Sequence, residues 1–499
     1  MLQNYLKVAI RSLLKNKVFP LINLLGLTIG ISSCMLLLAY VQYESSYDNF
    51  HENADQIYRI HCHYYENAST LSETATVFSA LGPTLKEKLP EVLEFTRAYF
   101  LSSEMALRVE DKTAQTSSVL FVDRSFLEIF SYPMLAGDKT KALTGDGPVP
   151  AVINQSLSDH FFSNALKAIE KKMIFIDSTF DIKGVIQIPE NSHIQPEVLI
   201  PFEFGDFQND WQWLDFYTYI LVRPATNKAQ LEKSINTIAT DFMGKDRADH
   251  MRFSLISIKN IHLSSNAQDE FSSKGSLVVV NTLKIIAVGL LLIAFINYVN
   301  LSVVRAMQRY REIGMRKVVG ARKRQLFVQF IFEAYLMIVT SALLSLIIIR
   351  LIFPVFIYFI DLPMTTTSLY QPFFWVVLGI VVLVGGLVTG IYPALIISRF
   401  QPTVILKAKL TRSGLRGRLR KVLVVFQFFV SAVLIISIWV VFQQLYFMQS
   451  QPLGVNIENV LIVNPTYSED DHTIVSKNFE TMISQFAPAE KISNSYFIP

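Results

Sequence analysis

The densest group of metal-binding side-chain types in this chain is His61-Cys62-His63. If this segment is a β-strand, His61 and His63 point to the same face and could bind one cation between their rings. No third ligand can be assigned from the sequence, and ordinary strand composition accounts for the same pattern. The other cysteine, Cys34, lies in an apolar run, so neither a disulfide framework nor a cysteine-based zinc site is available. We therefore predict that the chain binds no metal.

Motifs that mark the common catalytic sites are missing from the sequence. It contains no G-x-x-x-x-G-K-S/T phosphate loop, no G-x-S-x-G, no H-E-x-x-H and no C-x-x-C. We therefore predict a non-catalytic chain that does not hydrolyse ATP by the phosphate-loop route and binds no cofactor. The alternative is a membrane-anchored enzyme with its site in residues 44–282, and the lack of a catalytic constellation argues against it.

Four polar or charged residues interrupt the apolar runs: Asn297, Asn300, Glu333 and Arg350. Such residues in a membrane either line an ion pathway or hydrogen-bond one helix to another. A proton relay needs a ladder of acidic residues, which this sequence lacks, so hydrogen bonding between helices is favoured. Glu333 belongs either to the inner end of a span or to the cytoplasmic helix before it, and Arg350 extends its side chain outward.

Two pairs of glycines have the spacing that lets membrane helices approach closely. They are Gly26-x-x-x-Gly30 and Gly386-x-x-x-Gly390. Packing within one bundle and dimerisation remain equally open as explanations.

The most informative stretch is RYREIGMRKVVGARKRQLFVQFIFE, residues 309–333. Gly314 and Gly320 divide it, and basic residues alternate in it with the apolar residues Ile313, Met315, Val318 and Val319. A plain basic loop at the inner membrane surface would explain the charge alone. The two glycines and the apolar residues favour instead a short helix that is presented to a partner surface.

Composition places these residues in a membrane protein. Hydrophobic residues make up 51% of the 499 residues, charged residues make up 17%, and the mean hydropathy is +0.35. Because soluble proteins carry about 25% charged residues, these values exclude a disordered chain and disfavour a fully water-soluble enzyme. Five apolar stretches are each close to the length of about 20 residues that spans a bilayer. They are 18–41, 285–304, 332–356, 373–398 and 422–447.

The distribution of charge predicts the orientation of these spans. Residues 1–17 carry four Lys/Arg and no acid, 305–324 carry eight against one Glu, and 399–421 carry eight and no acid. Residues 44–275 carry 21 Lys/Arg and 32 Asp/Glu, a formal charge of −11. Since basic loops remain in the cytoplasm, the three basic segments face inward and the acidic segment faces outward.

We therefore predict an α-helical membrane protein with five transmembrane helices and a large α+β extracytoplasmic domain between the first and the second. The predicted divisions are a cytoplasmic amphipathic lead helix at 1–17, transmembrane helix 1 at 18–43, the extracytoplasmic domain at 44–282, a permease domain with helices 2–4 at 283–398, a basic cytoplasmic linker at 399–421, transmembrane helix 5 at 422–447 and the start of a second extracytoplasmic segment at 448–499. A basic lead followed by a span and an outer segment occurs twice, which suggests a chain that stops within a second copy.

The segment REIGMRKVVGARKRQL, residues 311–326, resembles the signature after the second span of FtsX-like permeases, the membrane subunits of MacB-type ABC transporters. The opening LKVAIRSLLKNKVFPLINLLGLTIGI is similar to the start of such permeases, and GIYPA at 390–394 resembles the end of their fourth span. The outer domain resembles the MacB-like periplasmic core domain in five pieces: 122–130, 135–138, 184–185, 189–193 and 261–264. It departs from that family at 162–166, where FSNAL replaces a glycine-rich turn.

This resemblance implies a permease subunit that exports or extracts a substrate. A separate MacB/LolD-type ATP-binding subunit dimer would hold ATP and Mg²⁺ and move the outer domain through the first two spans. The alternative is an ATP-driven signalling scaffold that controls an outer partner such as a cell-wall hydrolase. Other implied partners are membrane lipids, a second permease copy or half, and a periplasmic adaptor, but no nucleic acid. The implied location is the bacterial cytoplasmic (inner) membrane, with several spans and a cytoplasmic N-terminus.

The resemblance also assigns roles to residues. Within the cytoplasmic segment 305–325, the residues expected to couple to the ATPase are Arg311, Glu312, Ile313, Gly314, Met315, Arg316, Lys317, Val318, Gly320 and Ala321. The residues expected to pack helices are Gly26, Gly30, Gly386 and Gly390.

Overall fold

The computed structural model describes residues 18–66, 69–101, 105–116, 118–145, 148–175, 178–204, 209–271, 274–308, 314–315, 318–320, 322–360, 369, 371–398, 414–451 and 481–483. Two compact units divide the described residues. The membrane unit lies within Met1–Ser45 and Leu277–Glu458, and the described part of the sheet unit lies mainly in Ser46–Ser276.

The described residues form twelve α-helices and thirteen β-strands. The helices are α1 Val18–Glu44, α2 Leu81–Lys88, α3 Phe126–Ile129, α4 Gln155–Phe162, α5 Ala165–Ala168, α6 Lys228–Met243, α7 Lys245–His250, α8 Ile258–Ser264, α9 Leu277–Gln308, α10 Lys323–Ile360, α11 Pro372–Ser398 and α12 Gly414–Ser450. The strands are β1 Ile57–Glu66, β2 Ser69–Thr74, β3 Val92–Leu101, β4 Met105–Val109, β5 Lys112–Thr116, β6 Val119–Val122, β7 Met134–Gly137, β8 Val149–Asn154, β9 Lys172–Phe175, β10 Ser178–Ile186, β11 Val198–Pro201, β12 Tyr217–Val222 and β13 Met251–Ser257.

Five helices among the described residues are long and apolar enough to cross a membrane. Their apolar portions are Val18–Glu44, Leu277–Arg305, Lys323–Ile360, Pro372–Leu395 and Lys421–Ser450. Apolar residues occur on all sides of these helices, as expected for lipid-facing spans. The five spans expected from the sequence are thus present as continuous helices.

Helix α10 is longer than a bilayer requires. Its 38 residues extend over roughly 57 Å at 1.5 Å per residue, against a hydrocarbon core of about 30 Å. Glu333 lies inside this single helix, so no break in the helix separates it from the span. Arg350 is also in α10 and is exposed.

Within the membrane unit, α1 packs against α9 and α10, and α11 packs against α9 and α10. Helix α12 touches α9, but its apolar side chains are exposed in the single chain. Half of the apolar stretch of α1 is buried, whereas none of that of α12 is. Helices α1, α9, α10 and α11 therefore form the packed part of this unit.

The strands of the sheet unit form one mixed sheet. Its order is β13-β1-β12-β3-β6-β11-β8-β10-β9-β4-β5, with β2 paired to β1 and β7 paired to β10. The pairs β6–β11 and β8–β10 are parallel, and the other described pairs are antiparallel. The mixture of strands and helices confirms the expected α+β class.

Amphipathic helices cover the sheet at both of its ends. Leu231, Ile235 and Ala239 recur every four residues in α6 and are buried with β1, β12 and β13. Asn227 caps this helix, because its Oδ1 accepts from the N–H of Gln230 at 3.2 Å. At the other end, α4 and α5 pack on β8, β9 and β10.

A tight approach between β7 and β10 depends on Gly137. Its φ is +95°, and a Cβ atom there would lie 2.3 Å from the carbonyl oxygen of Lys183 and 3.0 Å from Cα of Gly184. Both the backbone conformation and the space therefore require glycine. Gly145 lies in open space and has no such restriction.

We expect Gly137→Ala to lower the free energy of unfolding of the sheet unit by more than about 2 kcal/mol, because the methyl group must displace backbone. Gly145→Ala is the matched control and should change it by less than about 0.5 kcal/mol. The measurement is urea-dependent pulse proteolysis of the full chain in detergent. Equal urea midpoints for the two variants would contradict this account of the β7–β10 contact.

Candidate functional site

The structure describes part of the predicted ATPase-coupling segment: Gly314, Met315, Val318, Gly320 and the neighbouring Val319. Six other predicted residues lie outside the described residues: Arg311, Glu312, Ile313, Arg316, Lys317 and Ala321. The segment connects α9, which ends at Gln308, to α10, which begins at Lys323.

The described apolar side chains of this segment are exposed. Met315 and Val318 are each 65% exposed, and Val319 is 83% exposed. They stand in a stretch with eight Lys/Arg and one Glu over residues 305–324. Exposed apolar side chains surrounded by charged residues are expected on a surface that binds a protein partner.

The segment turns sharply before α10. Gly320 has a φ of +103°, and a Cβ atom there would meet nothing within 4 Å, so backbone conformation alone favours glycine. The N–H of Arg322 then donates to Oε1 of Gln325 at 3.0 Å and satisfies one of the free amide groups at the start of α10. Gly314, in contrast, is buried. Only Gly320 of the two glycines is therefore accessible to a partner in this structure.

The glycines of α1 face α9. A Cβ atom at Gly30 would lie 2.5 Å from Cβ of Ala294, and one at Gly26 would lie 3.4 Å from Nδ2 of Asn297. The backbones approach closely at Gly30, because a side chain there would overlap its neighbour. Asn297 lies on the same interface.

The glycines of α11 face α10. A Cβ atom at Gly386 would lie 2.3 Å from the ring of Tyr335, and one at Gly390 would lie 3.2 Å from Cα of Ile331. The hydroxyl of Tyr335 donates to the carbonyl oxygen of Leu383 at 2.9 Å, which fixes the ring across the two helices. Both glycine pairs thus make contacts within one bundle. The sequence did not single out Gly385, where a Cβ atom would lie 2.5 Å from the ring of Phe295.

A polar cavity of about 40 Å³ lies among α1, α9, α10 and α11. Its lining residues are Asn23, Tyr298, Ser302, Arg305, Phe330, Glu333, Ala334, Met337, Thr389 and Pro393. Nε2 of Gln329 donates to Oε1 of Glu333 at 3.1 Å. Oδ1 of the buried Asn23 has no hydrogen-bond partner among the described residues. A cavity of this size and polarity can hold water next to that acceptor.

The structure gives His61 partners other than a metal. Its Nδ1 lies 2.6 Å from Oε1 of Glu73, and its Nε2 accepts from Nε of Arg59 at 3.0 Å. His63 instead contacts Oγ of Ser254 at 2.7 Å. Burial lowers the pKa of His61, although the hydrogen bond to Glu73 opposes this. No described group of three or more His, Cys, Asp or Glu side chains is arranged to hold a metal.

Cys62 is fully buried between these histidines. Burial raises the pKa of its thiol to about 12, so the reactive thiolate is scarce at neutral pH. Its role is that of a small apolar core residue.

The sequence reasoning missed a buried ion pair between Arg59 and Glu270. Nη1 of Arg59 donates to Oε2 of Glu270 at 2.6 Å, and Nη2 donates to Oε1. Burial would raise the pKa of Glu270, but the hydrogen bond and charge of Arg59 outweigh it and hold the pKa below its usual value. The two residues are 211 positions apart, so no local pattern reveals the pair. The one signal is an arginine between Tyr58 and Ile60 in a segment with the composition of a strand.

Comparison with known families accounts for both units. Residues 21–238 match the family described as MacB-like periplasmic core domain, and residues 284–402 match the FtsX-like permease C-terminal family. The chain belongs to the MacB/FtsX-like ABC transporter permeases. The resemblance seen in the sequence is thereby confirmed.

Named relatives of this MacB/FtsX-like permease are exporters. The macrolide export ATP-binding/permease protein MacB of Shewanella oneidensis is 25% identical over 371 residues, which cover 70% of this chain and 53% of MacB. The pyoverdine export ATP-binding/permease protein PvdT of Pseudomonas fluorescens is 24% identical over 229 residues, which cover 44% of this chain and 33% of PvdT. The matches thus span about a third to a half of the length of these relatives.

The solved periplasmic region of MacB from Actinobacillus actinomycetemcomitans is 15% identical to this permease, with a TM-score of 0.31. The comparison covers 42% of this chain and 94% of that structure.

We expect Gly30→Leu to destabilise the bundle of this permease by about 1–3 kcal/mol, because the side chain would overlap Ala294 where α1 meets α9. Gly289→Leu on α9 is the matched control, since a Cβ atom there meets nothing within 4 Å. The measurement is the midpoint of unfolding by sodium dodecyl sulfate in mixed micelles. If Gly289→Leu were as damaging as Gly30→Leu, close approach at Gly30 would not explain the effect.

Proposed function

We propose that this permease is a non-catalytic membrane subunit that couples ATP hydrolysis on a separate ATPase subunit to movement of its MacB-like domain. The result of that movement is export or extraction of a substrate. The observation that carries the proposal is the exposed apolar group Met315, Val318 and Val319 within the basic segment between α9 and α10.

The family implies a partner ABC ATPase subunit, and we assign a dimer of this subunit to the coupling segment. The relatives MacB and PvdT are named as proteins with an ATP-binding and a permease part, and the matched residues of this chain contain no phosphate loop. ATP and Mg²⁺ are therefore held by the partner. For hydrolysis to do work, the ATP-bound partner must favour one arrangement of the bundle over another.

The roles within the coupling segment follow from the chemistry of its side chains. Exposed apolar side chains such as Val318 gain most when a partner buries them, so they anchor the contact. The bases around them mainly speed the encounter and set the register, because charges at the rim of an interface remain hydrated. Ile313 is expected to be a second anchor, and Lys317 is expected to be a rim charge.

The same proposal places the sheet unit outside the cytoplasm and the N-terminus inside, in the bacterial inner membrane. The formal charge of −11 over residues 44–275, beside three strongly basic segments, supports this arrangement. The coupling segment then faces the cytoplasm, where ATP is available.

A thiol test can check this sidedness. Cys34 and Cys62 are buried and should react slowly with a thiol reagent. Labelling of a single cysteine introduced at an exposed site can therefore be distinguished from labelling of these two. We expect a membrane-impermeant maleimide to label Lys167→Cys in intact spheroplasts, and to label Arg322→Cys only after lysis. The opposite pattern would overturn the orientation.

A binding test can check the coupling segment. We expect Val318→Asp and Ile313→Asp each to weaken binding of the ATPase by about 30-fold or more, because a charge would replace a buried anchor. Stimulation of ATP hydrolysis should fall in parallel. The measurements are pull-down of the ATPase and its hydrolysis rate with the permease in nanodiscs.

Lys317→Ala serves as the control, and it should change binding severalfold at low salt and little at physiological salt. If the two aspartate variants bind and stimulate like the parent chain, the segment is only a basic loop and the proposed coupling fails.

A further inference from the structure

The polar cavity among the packed helices of the membrane unit has no task in the proposed function. Its volume is about 40 Å³, and α1, α9, α10 and α11 all contribute lining residues. Six of the lining side chains are polar: Asn23, Tyr298, Ser302, Arg305, Glu333 and Thr389. Cavities that stay empty inside proteins are apolar, so a polar cavity in a helix bundle indicates a bound ligand.

Asn23 of α1 brings an unsatisfied acceptor to this cavity. Its side chain is buried, with 4% exposure, and its Oδ1 has no hydrogen-bond partner among the described residues. A buried amide oxygen without a donor keeps the full cost of leaving water. We therefore expect the occupant of the cavity to donate a hydrogen bond.

The sequence of α11 creates a need for a second donor at the same cavity. Pro393 lies inside this helix, in the segment GIYPA at 390–394. The backbone carbonyl of Thr389 would normally accept from the N–H of residue 393, but proline has no N–H. Thr389 and Pro393 are both buried, and both line the cavity. The Thr389 carbonyl has thus lost its regular helical donor beside the cavity.

The hydroxyl of Thr389 does not replace that donor. Its Oγ1 donates to the carbonyl oxygen of Gly385 at 2.6 Å, so its one hydrogen is already used. In membrane helices, ordered water is one of the groups that hydrogen-bond to carbonyls freed by proline. An occupant with two hydrogens to donate could therefore serve both Asn23 and Thr389.

The charge and the size of the cavity favour water as this occupant. Arg305 and Glu333 contribute one formal charge of each sign, so the lining has no net charge that would select an ion. Oε1 of Glu333 already accepts from Nε2 of Gln329 at 3.1 Å. At roughly 10–15 Å³ for each molecule, the volume of 40 Å³ accommodates about three waters.

We propose that this cavity is an internal water site of the membrane bundle. Water bound there donates to Oδ1 of Asn23 and to the backbone carbonyl of Thr389, and it replaces the donor that Pro393 removes from α11. The site thereby stabilises the proline-interrupted part of α11 and connects it to α1 through exchangeable molecules. This inference does not depend on the proposed function, since neither the ATPase nor the sheet unit takes part.

X-ray hydroxyl-radical footprinting of the full chain in nanodiscs tests the site. Radiolysis converts bound water into hydroxyl radicals, which oxidise adjacent side chains even when these are buried. Met337 lines the cavity and Met35 does not, although both are buried, with 5% and 1% exposure. We expect mass spectrometry to show that Met337 is oxidised severalfold faster than Met35. Equal protection of the two methionines would indicate a dry cavity and would overturn the proposal.

Two substitutions alter the proposed contacts one at a time. Asn23→Leu keeps the branched shape of the side chain and removes its acceptor, whereas Pro393→Ala returns an N–H that can donate to the Thr389 carbonyl. We expect each to slow the oxidation of Met337 toward the rate of Met35, because the water loses a partner. Alanine is smaller than proline, so lost space cannot explain that decrease. If either variant leaves the rate unchanged, the contact that it alters is absent and the proposed bridge fails.

Asn297→Leu is the matched control, since Asn297 lies on α9 beside Gly26 and is not a lining residue of the cavity. We expect it to leave the oxidation of Met337 unchanged. A decrease as large as that of Asn23→Leu would show a general effect of removing an amide and would contradict the site. The two test substitutions lie on different helices, so one still decides if the other unfolds the bundle, which rapid oxidation of Met35 would reveal.

A change of salt distinguishes water from a cation. Replacing sodium chloride by choline chloride should leave the oxidation of Met337 unchanged, because a water site requires no ion. A rate that depends on Na⁺ would show that the cation occupies the cavity and would overturn its assignment to water.

Discussion

Burial of the Arg59 guanidinium is the interaction on which the sheet unit depends. A charge removed from water is tolerated only when it is paired and its donors are satisfied. Arg59 is fully buried in β1, and its side-chain partners are His61 on the same strand and two residues from a distant part of the chain, Ser265 and Glu270. Strand β1 and the segment 265–270 must therefore assemble together, or the guanidinium loses most of its partners.

This constraint also determines the surroundings of the two histidines that form the apparent metal motif. Two histidines on one strand face resemble a ligand pair, but His61 accepts from Arg59 on one ring nitrogen and meets Glu73 on the other. Both ring nitrogens of His61 are thus in contact with other protein side chains. The sequence could not show this, because Glu270 is 211 residues from Arg59 along the chain.

Features that depend on local pattern could be predicted from the sequence. The membrane helices follow from uninterrupted apolar composition, and β12 follows from the alternating, aromatic-rich run Tyr217–Val222. The glycine spacing predicted close helix contacts. It could not show that Gly30 meets Ala294 or that Gly386 meets Tyr335, because those partners are set by tertiary packing. The exposure of Val318 could not be predicted either, since an apolar residue in a basic loop can equally be buried.

The two units are stabilised by different physical interactions. Between membrane helices there is little hydrophobic driving force, so contacts such as Gly30 on Ala294 and Gly390 on Ile331 depend on shape alone. The sheet unit has a water-excluded core and buried ion pairs, whose disruption exposes apolar surface and unpaired charge. Separating two of these helices therefore breaks mainly packing contacts, whereas opening the sheet unit also leaves buried polar groups unpaired.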